Sequence, residues 1–154
     1  MKFEIEPVGF IFSERKDAID GNWKSIPSCI ELCPQYPPEC LSGLADFSHI
    51  EIIYYFHKVD PETIVRGSEH PRENPGWPKV GIFAQRKKSR PNLLGLTISK
   101  LIRVEGRRIY IDKFDGIDQT PVIDIKPVFR EYMPDSIEEI REPLWVPEMM
   151  KHYW

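Results

Sequence analysis

The apolar positions of this chain are grouped in short runs in which polar and apolar residues alternate, a pattern typical of β-strands. The clearest run covers residues 48–57, where every second residue from Ile50 to Phe56 is apolar or aromatic. Because Ile53 and Tyr55 make the opposite face partly apolar as well, we predict a strand covered on that side by loops or by a second subunit. The other predicted strands cover residues 3–12, 26–32, 80–84, 93–104, 108–114 and 122–125.

Helical patterns are minor. Residues 38–41 are compatible with a single turn, and residues 135–141 have a capping residue, acidic first positions and a basic end before Pro143. A tight turn is expected at residues 105–107, and the 15 prolines in 154 residues confine regular structure to short pieces. Six to seven short strands with one or two short helices predict a mainly all-β fold, a barrel or a sandwich.

Two segments outside these strands stand out by composition. Residues 60–77 are rich in proline and glycine and predict a long surface excursion. Residues 143–154 carry two tryptophans and two methionines, which is too apolar for a segment lying free in water. We expect this tail to pack across the body of the protein or against a neighbouring chain.

Charge restricts the possible partners. A net charge of −3 and a pI near 5.8 argue against a protein that coats nucleic acid by bulk electrostatics, so a polyanion must meet a local patch. The first candidate patch follows the strand at 80–84 and the second lies near the turn at 105–107. The first patch consists of Arg86, Lys87, Lys88 and Arg90, and the second of Arg103, Arg107 and Arg108. A solvated hairpin tip and an anion-binding loop explain the first patch equally well.

Cysteine usage and hydropathy restrict the compartment. Three cysteines clustered at 29, 33 and 40 favour reduced thiols over a disulfide framework. His49 and His57 could complete a zinc site with them, but a single C-x3-C followed by an isolated cysteine does not match the paired knuckles of such sites, and we expect no metal. No run is long enough to span a membrane and the N-terminus lacks signal-peptide features, so a cytoplasmic protein without a membrane partner is expected.

Several multi-residue blocks then occur in a recognisable order. They are Pro7-Val8-Gly9 with Ser13, and residues 43–50, 56–58, 81–86, 90–96 and 118–127. With these blocks the chain resembles the TsaA family, also called TrmO, over about residues 4–130. The resemblance implies a single-sheet β-barrel that dimerises, with residues 1–130 as the barrel domain and 131–154 as a C-terminal helix and tail. It also implies S-adenosylmethionine-dependent N6-methylation of threonylcarbamoyladenosine beside the tRNA anticodon.

The resemblance implies a cofactor site formed by loops. Carried over by motif position, the contacts are Arg86, Leu96, Gly116, Ile117, Asp118 and Gln119, together with His57 and Lys58. The two hairpin ends that carry most of these residues should therefore meet as the two sides of one slot. The family usually has glycine where this chain has Gln119, so its side chain should either point away from the pocket or narrow it.

The chemistry adds candidate roles. An exocyclic adenine nitrogen is a poor nucleophile, and a group must accept its proton; Asp124 and His57 are the candidates, with Asp118 a further one. Each also has a structural interpretation, His57 as a strand-end histidine and Asp124 as the partner of Lys126. Arg86 and Arg90 suit a cofactor carboxylate or an RNA phosphate, and Lys87, Lys88 and Arg90 are the candidate RNA contacts.

Other functions remain open at this stage. A non-catalytic module that binds S-adenosylmethionine or RNA would keep the pocket without an aligned base, and a methyltransferase could act on a small molecule or a protein. Larger bacterial members of the family carry a domain after the barrel, and this chain has no room for one before Trp154. It is therefore expected to hold tRNA weakly or to methylate another substrate.

Overall fold

The computed structural model describes residues 1–19, 21–23 and 26–154. Its strands are β1 (Gly9–Ser13), β2 (Ser28–Leu32), β3 (His49–Tyr55), β4 (Ser68–Glu69), β5 (Val80–Gly81), β6 (Leu94–Glu105), β7 (Arg108–Asp112) and β8 (Pro121–Pro127). Six of them close into one antiparallel barrel in the order β1-β2-β7-β6-β3-β8, with β8 returning to β1. The predicted all-β barrel is confirmed, and closure leaves this sheet without free edges.

Branched aliphatic residues at alternate strand positions fill the barrel. Those with no more than 2% of their surface exposed are Ile11, Ile30, Ile50, Ile52, Ile109, Ile111 and Val122. They come from five of the six barrel strands, β1, β2, β3, β7 and β8. Alternation with period two places them all on the inner face, which is the arrangement a small closed barrel needs.

Strand β6 contributes small residues to the interior instead. Gly95, Thr97 and Ser99 are buried, whereas the intervening Leu96 and Ile98 are exposed. A Cβ atom on Gly95 would lie 2.3 Å from Cζ of Tyr54, its partner in the register with β3. The small residues of β6 therefore leave the space that the aromatic ring of β3 occupies.

The predicted turns and short elements are partly confirmed. The turn at 105–107 joins β6 to β7, with Glu105 paired to Arg108. The predicted strand at 80–84 is wrong beyond its first two residues, because Ile82–Ala84 form a 3-10 turn closed by the Gln85 amide on the Ile82 carbonyl, 3.2 Å. Strand β5 lies outside the barrel and pairs only with β4, which belongs to the predicted excursion at 60–77.

Helical structure also differs from the prediction. Residues 38–41 form the expected single turn, of 3-10 type, but the segment at 135–141 forms only a 3-10 turn at Ile137–Glu139, capped by the Ser136 hydroxyl. The one α-helix among the described residues, α1 (Trp145–Met150), lies within residues 131–154, where a helix and tail were expected, but after the segment at 135–141. Pro147 occupies the first turn of α1, where its missing N–H has no helical partner to lose.

The C-terminal segment packs on the body of the same chain. Trp145 is 9% exposed, and the Trp77 indole N–H donates to a Glu148 carboxylate oxygen over 3.0 Å. Backbone amides of Asn22 and Trp23 donate to the carbonyls of His152 and Tyr153, each over 2.8 Å. None of the helices in the described part of the chain has the length and apolar character that crossing a membrane requires.

Candidate functional site

A cavity of about 1240 Å³ opens at the end of the barrel where β3 and β7 finish and β6 and β8 begin. Antiparallel pairing brings these four strand ends together, so residues distant in sequence become neighbours. The walls include parts of segments 54–60, 83–92, 94–98 and 113–117, and α1 with the residues after it supplies a further wall. The loop after β5 and the loop after β7, which the sequence analysis expected to meet, both border this one space.

Most of the predicted site residues lie at this cavity. The lining includes Arg86, Leu96, Gly116, Ile117, His57 and Lys58 from the cofactor set, and Lys87, Lys88 and Arg90 from the RNA set. Asp118, Gln119 and Asp124 are not among the residues that line it. The structure thus gathers one part of the predicted constellation and leaves three residues outside.

Asp118 and Gln119 fasten their loop to the first strand. An Asp118 carboxylate oxygen accepts the Ser13 amide over 3.1 Å, and the Gln119 amide donates to the Ile11 carbonyl over 2.7 Å. Gln119 has φ 61° and an exposed side chain. Of the two expectations for Gln119, the first is observed: its side chain points away from the pocket. Its backbone adopts a left-handed conformation that glycine would take easily.

Asp124 lies on the outside of β8 as a partner of Lys126. Its carboxylate accepts a hydrogen bond from the lysine ammonium and another from the Ile125 amide, 2.9 Å. That contact raises the pKa of Lys126, chiefly through the hydrogen bond. Its structural interpretation therefore describes Asp124 in this geometry, and the catalytic role stays a prediction that the geometry does not favour.

The second group of cations also lies away from the cavity lining. The Arg103 guanidinium stacks 3.7 Å from the centroid of the Tyr110 ring and pairs with Glu105, and Arg108 pairs with Glu31 over 2.9 Å. These are contacts on the outer surface of the barrel, where ion pairs contribute little to stability.

The first group of cations forms a fixed rim of the cavity. Arg86 donates to the Leu96 carbonyl, Lys87 pairs with Glu69, and Lys88 donates to the Ala18 carbonyl over 3.3 Å. Arg90 donates to the Gln85 carbonyl over 3.1 Å. Lys87, Lys88 and Arg90 are half-buried, which differs from the solvated hairpin tip considered in the sequence analysis. Positive charge is thus held at one side of the cavity by contacts within the protein.

His57 and Lys58 follow the end of β3 at the same cavity. Burial, and then the positive charge of Lys58, lower the pKa of His57, so the imidazole is neutral at pH 7. Lys58 donates to the Lys16 carbonyl over 3.0 Å. A neutral imidazole beside a cation can accept a hydrogen bond or a proton from a ligand in the cavity.

Asp115 is a residue of the cavity that the sequence analysis missed. Its Oδ1 accepts the Tyr54 hydroxyl over 2.9 Å and the Thr97 hydroxyl, and its Oδ2 accepts the Tyr153 hydroxyl over 2.5 Å. Burial, and then the charge of Asp115, raise the pKa of Tyr54 far above its usual range, so the phenol is a permanent donor. An acidic residue after a strand end and directly before Gly116 was the signal available, but its three partners come from β3, β6 and the tail.

Trp23 provides an unsatisfied donor at the same place. The side chain is 4% exposed and lines the cavity, and its indole N–H has no hydrogen-bond partner among the described residues. The Arg15 guanidinium covers the ring at 3.7 Å from the centroid. A buried donor without a partner costs free energy, about 1–3 kcal/mol, which a ligand acceptor would recover.

With this geometry established, comparison with known proteins identifies the family. The family model described as tRNA-methyltransferase O N-terminal domain matches residues 12–134. The chain belongs to this family. A crystal structure of TrmO superposes with a TM-score of 0.75 at 26% identity, covering 92% of this chain and 64% of that one. TrmO from Pseudomonas aeruginosa gives 0.73 at 28% identity, covering 94% and 62%.

Relatives of the TrmO family differ in length. The human protein named tRNA (adenine(37)-N6)-methyltransferase is 44% identical over 108 residues, which are 70% of this chain and 24% of the human one. The probable S-adenosyl-L-methionine-binding protein of Pyrococcus horikoshii is 39% identical over 130 residues, 82% of this chain and 85% of that protein. This chain thus spans about a quarter of its human relative and most of its archaeal one.

Proposed function

We propose that this chain binds S-adenosyl-L-methionine in the cavity and methylates the exocyclic N6 of adenosine beside the tRNA anticodon, in its threonylcarbamoylated form. The observation that carries the proposal is the convergence on one cavity of a cationic rim, a neutral histidine and an indole donor that has no partner in the described part of the chain. The names of the human and archaeal relatives, a tRNA adenine methyltransferase and a probable S-adenosylmethionine-binding protein, support the same assignment.

The residues present suit this donor. Ligand pockets usually enclose about 300–1000 Å³, so a cavity of about 1240 Å³ has room for the donor and for part of a nucleotide. Within the described ranges, the Arg86 guanidinium donates to one backbone carbonyl, that of Leu96, and its other N–H groups can bind a carboxylate. The tail adds Trp145, Met149 and Trp154 as apolar and aromatic wall for an adenine ring.

The proposed cofactor contacts follow from these positions. Leu96 and Ile117 give apolar contact, and the neutral imidazole of His57 accepts a hydrogen bond from the donor's polar groups. When bound, the donor supplies a methyl group on a positively charged sulfur, ready for in-line transfer to a nucleophile. The task of the protein is then to hold donor and acceptor at near-attack distance and to exclude water. Asp118 and Gln119 contribute by attaching the loop that follows Gly116 to β1, and their side chains do not contact the donor.

The cationic rim is the proposed contact for RNA. Lys87, Lys88 and Arg90 border the cavity opening and could neutralise phosphates beside the nucleotide that enters it. Because the whole chain is acidic, affinity for tRNA should depend on these few contacts.

We also propose that two copies of the chain associate. Leu96 and Ile98, which also border the cavity, form with Ile102 an exposed apolar stripe along β6, with 42%, 40% and 51% of their surfaces accessible. Such a stripe is typical of an interface. Light scattering at micromolar concentration should give twice the chain mass, and Ile98→Glu should give the single mass; a wild-type monomer would contradict this part.

The test of the function combines binding and transfer. Calorimetric titration should give one donor site per chain, and Arg86→Ala should weaken it at least tenfold without lowering the melting temperature. Arg130→Ala, at an exposed arginine outside the cavity lining, is the matched control and should bind normally. Labelled methyl should appear in tRNA that carries the threonylcarbamoyl group. Donor binding without label in this RNA would contradict the proposed substrate, and no donor binding would contradict the function altogether.

A further inference from the structure

We propose that Asp115 accepts the proton of the exocyclic nitrogen during methyl transfer, and that Tyr153 of the C-terminal segment is the positioning residue that holds its carboxylate. This inference rests on the proposed function, and it assigns the acceptor to a residue that the family motifs did not suggest.

The carboxylate is oriented from three directions and remains partly open. A carboxylate offers about four acceptor positions. Tyr54 and Thr97 occupy Oδ1, and Tyr153 occupies one position on Oδ2. Among the described residues this leaves one acceptor position on Oδ2, and Asp115 lines the cavity. The geometry therefore offers one fixed acceptor to a donor group that enters the cavity.

An N–H group of the substrate fits that acceptor. The N6 nitrogen of the threonylcarbamoylated base carries one hydrogen and a delocalised lone pair. In the transfer, the nitrogen–carbon bond forms as the sulfur–carbon bond of the donor breaks, the bonding pair stays on sulfur, and the N–H proton passes to the carboxylate. Because the N–H becomes strongly acidic as the nitrogen gains the methyl group, a weakly basic carboxylate is sufficient.

Asp115 meets this need better than His57. Burial, and then the positive charge of Lys58, lower the pKa of His57 and disfavour the cation that it would become on gaining the proton. A carboxylate that gains the proton becomes neutral instead. Among the described residues, Tyr54 from β3 and Tyr153 from the tail contact the Asp115 carboxylate. Arg86 from the loop after β5 and Lys113 from the loop that carries Asp115 line the same cavity.

Tyr153 lies outside the part of the chain that the family model matches, which ends at residue 134. Its backbone carbonyl is held by the Trp23 amide over 2.8 Å, so the segment is attached at the cavity wall and its hydroxyl has a defined direction. In this proposal the C-terminal tail contributes a positioning residue to the site, in addition to burying apolar surface.

The activity test uses the full chain, S-adenosylmethionine and tRNA carrying the threonylcarbamoyl group, in single turnover. Asp115→Asn should lower the transfer rate at least about 100-fold while the calorimetric Kd for the donor changes less than about threefold. Tyr153→Phe should lower kcat about fivefold, the effect of one lost hydrogen bond, with KM unchanged. Asp112→Asn, an exposed carboxylate at the end of β7, is the matched control and should keep the wild-type rate.

A binding measurement tests the same contact without turnover. The methylated product nitrogen has no N–H, so the wild-type chain saturated with S-adenosylhomocysteine should bind unmethylated tRNA about tenfold more tightly than methylated tRNA. Asp115→Asn should lose most of this difference.

The outcomes separate the two proposals. A wild-type rate in Asp115→Asn, or undiminished discrimination between the two RNAs, overturns the assignment of Asp115 and leaves the proposed function intact. If His57→Gln lowers the transfer rate 100-fold while Asp115→Asn keeps the normal rate, the assignment of Asp115 is likewise overturned, and His57 is the proton acceptor. Donor binding by the wild-type chain without transfer contradicts the proposed substrate and overturns this inference with it, and no donor binding contradicts the proposed function as a whole.

Discussion

Replacing Gly95 by alanine tests how the cavity end of the barrel is packed. The added Cβ would lie 2.3, 2.5 and 2.8 Å from three atoms of the Tyr54 ring. Carbon atoms in contact are about 3.5–4.0 Å apart, so the ring must move by more than about 1 Å. Tyr54 is 2% exposed and packs edge-on against Phe56 and Phe114, with centroids 5.3 and 5.0 Å away, so there is no free space for that movement.

The magnitude follows from two losses. Overpacking a filled core costs about 1–3 kcal/mol, and displacing the Tyr54 hydroxyl from the Asp115 carboxylate costs about 1.5–3 kcal/mol. Replacing glycine returns about 0.4–1 kcal/mol through the unfolded chain. We expect a net loss of about 2–5 kcal/mol in the free energy of unfolding, which lowers Tm by about 5 °C or more in a chain of this size.

The assay is denaturant and thermal unfolding followed by circular dichroism, with two further variants. Gly67→Ala is the matched control, because a Cβ there meets no atom within 4 Å, and its stability should be unchanged or slightly higher. In a Tyr54→Leu background the same Gly95→Ala change should cost less than about 1 kcal/mol, since the ring it strikes is gone. Gly95→Ala as stable as Gly67→Ala would refute this account of the packing.

Three further predictions concern the loops around the cavity. Gln119→Gly should raise the free energy of unfolding by up to about 1 kcal/mol, because φ 61° strains a side-chain-bearing residue; a clear loss on denaturant unfolding would contradict the strain. Because the pKa of His57 is lowered in the folded protein, the unfolded chain binds a proton there first as pH falls below about 6.5. The free energy of unfolding should therefore decline with acidification, and it should decline less in His57→Gln. Parallel stability curves of the two proteins from pH 7 to 5 would count against this prediction. Lys88→Ala should weaken tRNA binding and reduce the salt slope of log K by about one, whereas an unchanged slope in filter binding would remove Lys88 from the RNA contacts.

The barrel could be predicted from the sequence because its signal is local. Residues 48–57 and 93–104 alternate because one face of each strand is buried and the other faces outward. Strand β3 lies within the first range, and β6 covers the second from Leu94 and ends one residue beyond it, at Glu105. The prediction failed at residues 82–84, where an apolar run forms a 3-10 turn, because hydrophobicity without alternation does not distinguish the two. The α-helix forms at Trp145–Met150 rather than at residues 135–141, and Pro147 is compatible with it because it lies in the first turn.

The candidate site was only partly accessible to sequence reasoning. Family motifs indicated Arg86 and Gly116, and both lie at the cavity. The roles of Asp115 and Trp23 depend on contacts between residues far apart in the chain. Asp115 accepts the Tyr153 hydroxyl, and Trp23 is buried with an indole N–H that none of the described residues accepts. No local pattern encodes such contacts, so they became visible only when the fold brought the segments together.

The most direct test of the central claim, that this cavity holds the methyl donor, is a nitrogen–proton NMR titration of the four tryptophan indoles with S-adenosylmethionine. Trp23, Trp145 and Trp154 line the cavity and Trp77 does not. With the Trp23 resonance assigned through Trp23→Phe, the account predicts that it shifts to saturation at one donor per chain and that the Trp77 resonance moves least. Saturable donor binding that leaves the Trp23 indole unmoved, or no binding, would contradict it.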